Sequence, residues 1–244
     1  MTLSWYGLSR ASNAAHENQD QILIPLPAAP APVFGVFDGI GGHVGGNIAS
    51  AIAKREITAF LSDAPADSSC ETLRVAMLQA NHAIMQYAAS HPGMHRMGTT
   101  ACLAKIHANQ LHACNIGDSR VYVLHHNALI QISEDHSVVW QMFERGELTK
   151  DELVGHPHSN LITRALGLEY DLLSDQFMHP FDDADILLLC TDGLTDVTTD
   201  GEIHAHLSAA TSLSQCANAL YETARKNGSK DDISIVLAAA CIPQ

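Results

Sequence analysis

Val36-Phe37-Asp38-Gly39-Ile40-Gly41-Gly42-His43 decides the reading of this chain. The apolar run over 32–37 ends on a carboxylate, a glycine-rich turn follows, and a helical pattern sets in from Asn47. Strand, Asp-Gly, tight turn and helix together hold one carboxylate still at the mouth of a sheet. The glycines let neighbouring backbone come close and leave a carbonyl open beside the acid. One Asp-Gly pair marks an ordinary turn. Here the pattern recurs, because Leu187-Leu188-Leu189-Cys190-Thr191-Asp192-Gly193 is again an apolar run ending in Asp-Gly. Three further carboxylates stand beside strand-like runs: Asp20 before 21–26, Asp118 in the turn before 120–124, and Asp231 before 233–237. Convergence of Asp20, Asp38, Asp118, Asp192 and Asp231 would make an oxygen-only cage. Such ligands suit hard divalent cations such as Mg²⁺ or Mn²⁺. A pair of ions sharing a carboxylate activates water and clamps a phosphoryl oxygen, so the chemistry implied is in-line attack on phosphorus.

The bulk composition agrees with a globular enzyme. A length of 244 residues, 46% hydrophobic and 16% charged, suffices for a full core. The net charge of −14 argues against nucleic acid or an anionic membrane as partner, and with it against a metal-dependent nuclease. Histidine is abundant, at 15, yet no H-x-x-x-H or H-E-x-x-H arrangement falls on an expected helix, so histidine-held zinc is not indicated. The six cysteines form no C-x-x-C pair and several lie in apolar runs, where a reduced thiol packs as a small hydrophobe. The N-terminus does not read as a signal peptide, and no apolar run approaches the ~20 residues of a membrane helix. A cytoplasmic protein is expected.

Periodicity gives the outline. Strands are expected over 5–9, 21–26 and 32–37, and helices over 47–61 and 73–88. The period then changes to short strands over 99–106, 110–115, 120–125 and 129–132, with a turn at Ala108-Asn109. A helix over 137–144 opens a polar excursion that lasts to Gly167. A strand over 185–191, apolar on both faces, two helices over 200–208 and 214–226, and a strand over 233–240 complete the chain. Strands cluster without strict β-α alternation, which points to an α+β sandwich in one domain, 1–244.

In order along the chain, these residues resemble the metal-dependent protein phosphatases of the PPM family, the type 2C Ser/Thr phosphatases, in their compact bacterial form. Asn18-Gln19-Asp20 resembles the first acidic motif, and Asp38-Gly39-Ile40-Gly41-Gly42-His43 the D-G-x-G-G-H motif. Met97-Gly98-Thr99-Thr100 and Asn115-Ile116-Gly117-Asp118-Ser119-Arg120 follow. Glu134-Asp135-His136-Ser137 and 161–167 resemble the borders of the family's flap. Thr191-Asp192-Gly193-Leu194 and Lys230-Asp231-Asp232-Ile233-Ser234 resemble its last two metal motifs.

The resemblance implies two packed antiparallel sheets flanked by helices, an α-β-β-α sandwich. It also implies hydrolysis of phosphoserine and phosphothreonine in proteins by a metal-bridging hydroxide, opposing a bacterial Ser/Thr kinase. By it, Asp38 bridges two Mg²⁺ or Mn²⁺ ions, the Gly39 carbonyl binds one, and Asp20, Asp192 and Asp231 complete the pair. Asp118 with Asp192 serves a third ion, and 133–167 is the flap. A monomer acting on phosphoprotein substrates, with no nucleic-acid partner and no membrane span, is expected.

Two positions depart from the pattern. The family's phosphate-binding arginine, three residues before the Asn of the first motif, is Ala15 here, leaving Arg10 or His16 as substitutes. Some members carry His directly after Asp-Gly. Ile40 stands there, so His43 or water would protonate the leaving alkoxide. Two alternatives stay open: another phosphatase specificity on the same fold, and a non-catalytic or weakly catalytic phosphoprotein-binding regulator, which the missing arginine would suit.

Overall fold

The unbroken apolar runs become the central strands of two sheets. The computed structural model describes residues 2–13, 17–25, 32–40, 42–63 and 70–240, and at 42–44 and 63 the backbone alone. Strands Ser4–Arg10 (β1), Gln21–Leu23 (β2), Val33–Phe37 (β3) and Gly39–Ile40 (β4) precede two long helices, Gly42–Asp63 (α1) and Cys70–Ser90 (α2). Next come Gly98–Thr99 (β5), Ala101–His107 (β6), Gln110–Ile116 (β7), Arg120–His125 (β8) and Ala128–Gln131 (β9). Helix Val138–Glu144 (α3) and a 3₁₀ turn Lys150–Leu153 lead to strands Asp175–Pro180 (β10) and Ile186–Cys190 (β11). One helical turn Asp192–Thr195 (α4), helices Asp200–Ser208 (α5) and Leu213–Lys226 (α6), and strand Ile233–Ala239 (β12) follow.

One sheet has the order β1-β12-β11-β8-β9 and the other β10-β7-β6-β3-β2, with β4 and β5 as a separate pair. The pairings among the described strands are all antiparallel. Strand side chains alternate between faces, so each central strand feeds two cores. In β11, Leu187 and Leu189, with Val236 of the neighbouring β12, face the other sheet, where they meet Phe34 and Val36. Ile186, Leu188 and Cys190 face outward, onto Leu207 of α5 and Leu220 of α6. In β3, Phe34 and Val36 point into the space between the sheets, while Val33 and Phe37 pack under α1 and α2 with Ile57, Met77 and Ile84. The result is the expected α+β order of layers: helices, sheet, sheet, helices.

Three expectations are adjusted. The first long helix starts at Gly42 and not near Asn47, because the glycine-rich stretch itself is helical. The second strand stops at Leu23. β10 went unrecognised, since Asp-Gln-Phe-Met-His-Pro is a polar edge strand with alternate burial and a closing proline. The five described cysteines are free and buried, and Cys241 lies outside the described residues. Among the described residues, no helix is long and apolar enough to cross a membrane.

Candidate metal centre

The strand ends bring the acidic residues to one end of the sandwich. Asp38 sits between β3 and β4, and its backbone is held from both sides by the stretch after Met97. Its amide donates to Thr100 Oγ1 at 2.9 Å. Its carbonyl accepts from the Thr100 amide at 2.8 Å and from Thr99 Oγ1 at 2.8 Å. Thr100 Oγ1 in turn lies 2.7 Å from Ser119 Oγ, which ties the Asp38 turn to the β7–β8 turn that carries Asp118. Asp192 opens α4 directly after β11. Asp20 is buried and accepts from Thr191 Oγ1 at 2.9 Å, so the residue before Asp192 anchors Asp20. Asp231 precedes β12 and is exposed, and its Oδ1 accepts from the Asp232 amide at 2.8 Å.

The electrostatics show that these groups meet. Burial, then the charges of Asp192 and Asp20, push the Asp38 carboxyl well above the usual carboxylate range. Asp118 is raised by burial and then by Asp192 and Asp135. Asp20 is raised by burial and also by Asp192 and Asp232. Asp192 is raised to about 7 by burial and by Asp196 and Asp231. The Asp192 charge is the largest of those acting on Asp38, so these two carboxyls are strongly coupled neighbours. The other four expected acids thus act on Asp192 or lie in its field.

This arrangement fits divalent ions. Asp192 Oδ1 is buried without a hydrogen-bond partner, an atom left for a cation among acids that otherwise repel. A Cβ on Gly39 would stand 2.2 Å from the Gly46 carbonyl oxygen, and one on Gly46 2.5 Å from the Gly39 oxygen. The glycines therefore let the first turns of α1 press against the Asp38-Gly39 backbone. The carboxylates are more widely spread than a cage for one ion: among the described residues, the trio of His, Cys, Asp or Glu ligand atoms within 4.8 Å of one another is elsewhere, at His125, His126 and Asp182. A spread set suits hard cations that share a carboxylate and keep several waters.

Residues the sequence reading passed over complete the site. Asp196 follows Asp192 by one helical turn, and its amide donates to the Asp192 carbonyl at 2.8 Å. Ser159 Oγ donates to its carboxylate at 2.8 Å. The i, i+4 spacing was the signal for it. Asp232 is buried and accepts the amides of Ser12 and Gln19, each at 2.7 Å, so it fixes the segment carrying Asp20. Arg120 is paired with Asp135 at 2.6 Å and donates to Tyr122 Oη at 3.0 Å, bracing its hairpin. The 133–167 excursion is fastened beside these acids. The His136 amide donates to the Gly117 carbonyl at 2.9 Å, and the Gly117 amide donates to His136 Nδ1 at 3.1 Å. Because Nδ1 accepts there, Nε2 carries the proton and faces Asp175 Oδ2 at 3.2 Å. Arg164 pairs with the other Asp175 oxygen at 3.1 Å, a structural contact. Trp140 packs with Phe143 and Leu153 in a small core within the excursion.

The substitutes for Ala15 fare differently. Arg10 lies along α6, where it donates to Asn218 Oδ1 at 2.9 Å and stacks over the Tyr221 ring at 4.6 Å. Ala15, His16 and the His43 side chain lie outside the described residues.

Known proteins now give this geometry a family. The family model for protein phosphatase 2C matches residues 9–238. The chain belongs to the protein phosphatase 2C family. Its class is that of a protein serine/threonine phosphatase, as in the names of its curated relatives. One of them, the serine/threonine phosphatase stp of Listeria welshimeri, is 36% identical over 229 residues, 91% of this chain and 90% of that protein. The crystal structure of Stp1 from Staphylococcus aureus superposes with a TM-score of 0.91 at 29% identity, covering 98% of this chain and 95% of that one. The catalytic domain of PstP, solved with two manganese ions, gives a TM-score of 0.84 at 28% identity over 97% of each chain.

Proposed function

We propose that this chain hydrolyses phosphoserine and phosphothreonine in proteins, using two Mg²⁺ or Mn²⁺ ions held by Asp38, the Gly39 carbonyl, Asp20, Asp192 and Asp231. The observation that carries this reading is the buried Asp192 Oδ1 without a partner, inside a set of acids that raise one another's pKa. The manganese in the related PstP domain supports the choice of ion. Bound ions would supply the charge that activates water and offsets the phosphoryl oxygens.

The chain's own residues do the positioning. Thr99 and Thr100 fix the Asp38 backbone, Thr191 orients Asp20, and Ser119 couples the Asp118 turn to Thr100 and so to Asp38. Asp118, with Asp196 next to it in the field of Asp192, offers carboxylates for a third ion. The 133–167 excursion, joined to Gly117 and Asp196, is the flap that shapes substrate access, within one phosphatase domain over 1–244. The partners in this reading are cytoplasmic phosphoproteins and the Ser/Thr kinase that modifies them, met by a monomer.

The test is turnover of a phosphothreonine peptide. Activity with Mn²⁺ that disappears with EDTA and falls by about 10² or more in Asp192→Asn is expected. A folded, Mn²⁺-loaded protein that turns over neither phosphopeptide nor aryl phosphate would overturn the proposal in favour of a phosphoprotein-binding regulator.

A further inference from the structure

The end of the sandwich away from the acids carries the other grouping of metal-ligating side chains. β8 starts beside Asp118 and ends at His125, five residues and roughly 16 Å along the strand. Its partner β11 starts at Ile186, paired with Leu124, and ends before Asp192. At the far end, His125, the last residue of β8, and His126 in the β8–β9 turn meet Asp182 from the loop between β10 and β11. Their ligand atoms all lie within 4.8 Å of one another. His126 Nε2 is 3.7 Å from Asp182 Oδ2, and the rings of His125 and His126 are 3.9 Å apart between centroids.

A second, independent feature is the buried carboxylate behind this trio. Asp185 is 1% exposed and takes His125 Nδ1 at 2.8 and 3.0 Å through its two oxygens. It also accepts the Asp182 amide at 2.8 Å, so one buried acid orients a ligand from each loop. A carboxylate only accepts, so His125 carries its proton on Nδ1 and Nε2 is the nitrogen left for a metal. A carboxylate behind a histidine, fixing its tautomer and ring orientation, is the usual second partner of metal-bound imidazole. The His126 backbone is held at φ +47 in a two-residue hairpin turn with Asn127 at φ +62, which sets the second imidazole beside the first. His179 stands edge-on to His125 at 5.3 Å, its Nδ1 donating to the Pro180 carbonyl at 2.6 Å.

We propose that His125, His126 and Asp182, oriented by Asp185, form a second metal site for a borderline-soft dication of the Zn²⁺ kind. Two imidazoles and one carboxylate suit Zn²⁺, whereas the acidic centre at the other end, all oxygen, suits Mg²⁺ or Mn²⁺. Tetrahedral Zn²⁺ needs its ligand atoms about 3.3 Å apart, given bonds of ~2.0–2.1 Å. The remaining closure falls to His126 and Asp182, which are 74% and 51% exposed and free to rotate, while His125 stays fixed. The ion would join the β8–β9 hairpin of one sheet to the loop that crosses from the other. It is therefore a clamp between the sheets, remote from the reacting centre. The helical spacing sought in the sequence could not reveal it, because its ligands come from two turns 56 positions apart. The inference does not rest on the phosphatase reading.

The experiment is Zn²⁺ equilibrium dialysis of the full chain in excess Mn²⁺, with anomalous diffraction at the zinc edge on crystals of the same sample. One Zn²⁺ per chain, retained in Asp192→Asn, with an anomalous peak between His125 and Asp182, is expected. Affinity should fall by 10-fold or more in His126→Ala and in Asp182→Asn, and by about 10–100-fold in Asp185→Asn. The first two changes are at exposed positions, so folding is not at stake if the buried Asp185 variant proves unstable. Wild-type Tm should rise with Zn²⁺ while that of His126→Ala does not, and phosphopeptide turnover in Mn²⁺ should be the same in both. Zn²⁺ binding unaffected by the double variant His126→Ala/Asp182→Asn, or a zinc peak confined to the acidic centre, would overturn the proposal.

Discussion

Removing divalent ions should make this protein less stable as the pH rises. Asp192 is lifted from 3.8 to about 7, first by burial and then by the charges of Asp196 and Asp231. Between those two values the folded chain keeps a proton that the unfolded chain has released. Stability to unfolding therefore falls with pH across the window, being fully present below the unfolded value and lost through the folded one. At 1.36 kcal/mol per pH unit, the displacement corresponds to about 4 kcal/mol. Asp38, Asp118 and Asp20 are pushed the same way, so the acids titrate as one coupled group. Against a typical total of ~5–15 kcal/mol this is a large loss. With Mn²⁺ present the slope reverses, because protons compete with the ions for the same carboxylates. The assay is the urea midpoint at about pH 5, 6 and 7.5, in EDTA and in Mn²⁺. With an m-value of ~3 kcal/mol/M, the EDTA midpoint should fall by roughly 1 M or more over that range. A midpoint in EDTA that stays level or rises would mean that the acids are not crowded, and the reasoning would fail.

Three substitutions test how the centre is supported. Arg120→Met leaves the buried Asp135 carboxylate unpaired and should cost about 3–5 kcal/mol by urea unfolding, while the double variant Arg120→Met/Asp135→Leu recovers most of it. Gly39→Ala drives a Cβ into the Gly46 and Gln19 carbonyls and should cost ~1–3 kcal/mol and weaken Mn²⁺ binding, read by calorimetric titration. Arg10→Ala should leave KM for a phosphopeptide within about twofold and lower stability by up to ~1 kcal/mol, since its partners are Asn218, Tyr221 and Glu222 on α6. A large rise in KM would instead mean that Arg10 leaves α6 for the substrate phosphate.

The sheet architecture was legible because its central strands bury both faces. A run such as Ile186 to Cys190 is too short for a buried helix and is closed by Thr191-Asp192-Gly193, which favours a strand buried on both faces. The acids were legible because each closes or opens such a run, and because two of them recur as Asp-Gly. What escaped had weaker local signals. β10 is an edge strand that mixes Asp175 and His179 on its inner face with Met178 on its outer one, so it shows no clean alternation of apolar and polar residues. The glycine-rich start of α1 reads as a turn by composition, and it becomes helical because only glycines allow it to lie on Gly39. Asp196 was hidden because the helix that sets its i, i+4 spacing to Asp192 is only one turn long, with Asp196 as its C-terminal cap. Asp232 was read as part of a motif, whereas its work is to hold Ser12 and Gln19, distant in sequence. Long-range contacts of that kind leave no periodicity to detect.

Mn²⁺ binding by wild-type protein and Asp38→Asn, counted per chain by equilibrium dialysis while phosphothreonine peptide turnover is followed on the same samples, tests the central claim most directly. The account predicts at least two tightly held ions in the wild type, and the joint loss of that pair and of turnover when Asp38 can no longer bridge them. Turnover that survives in Asp38→Asn, or an unchanged ion count, would contradict it.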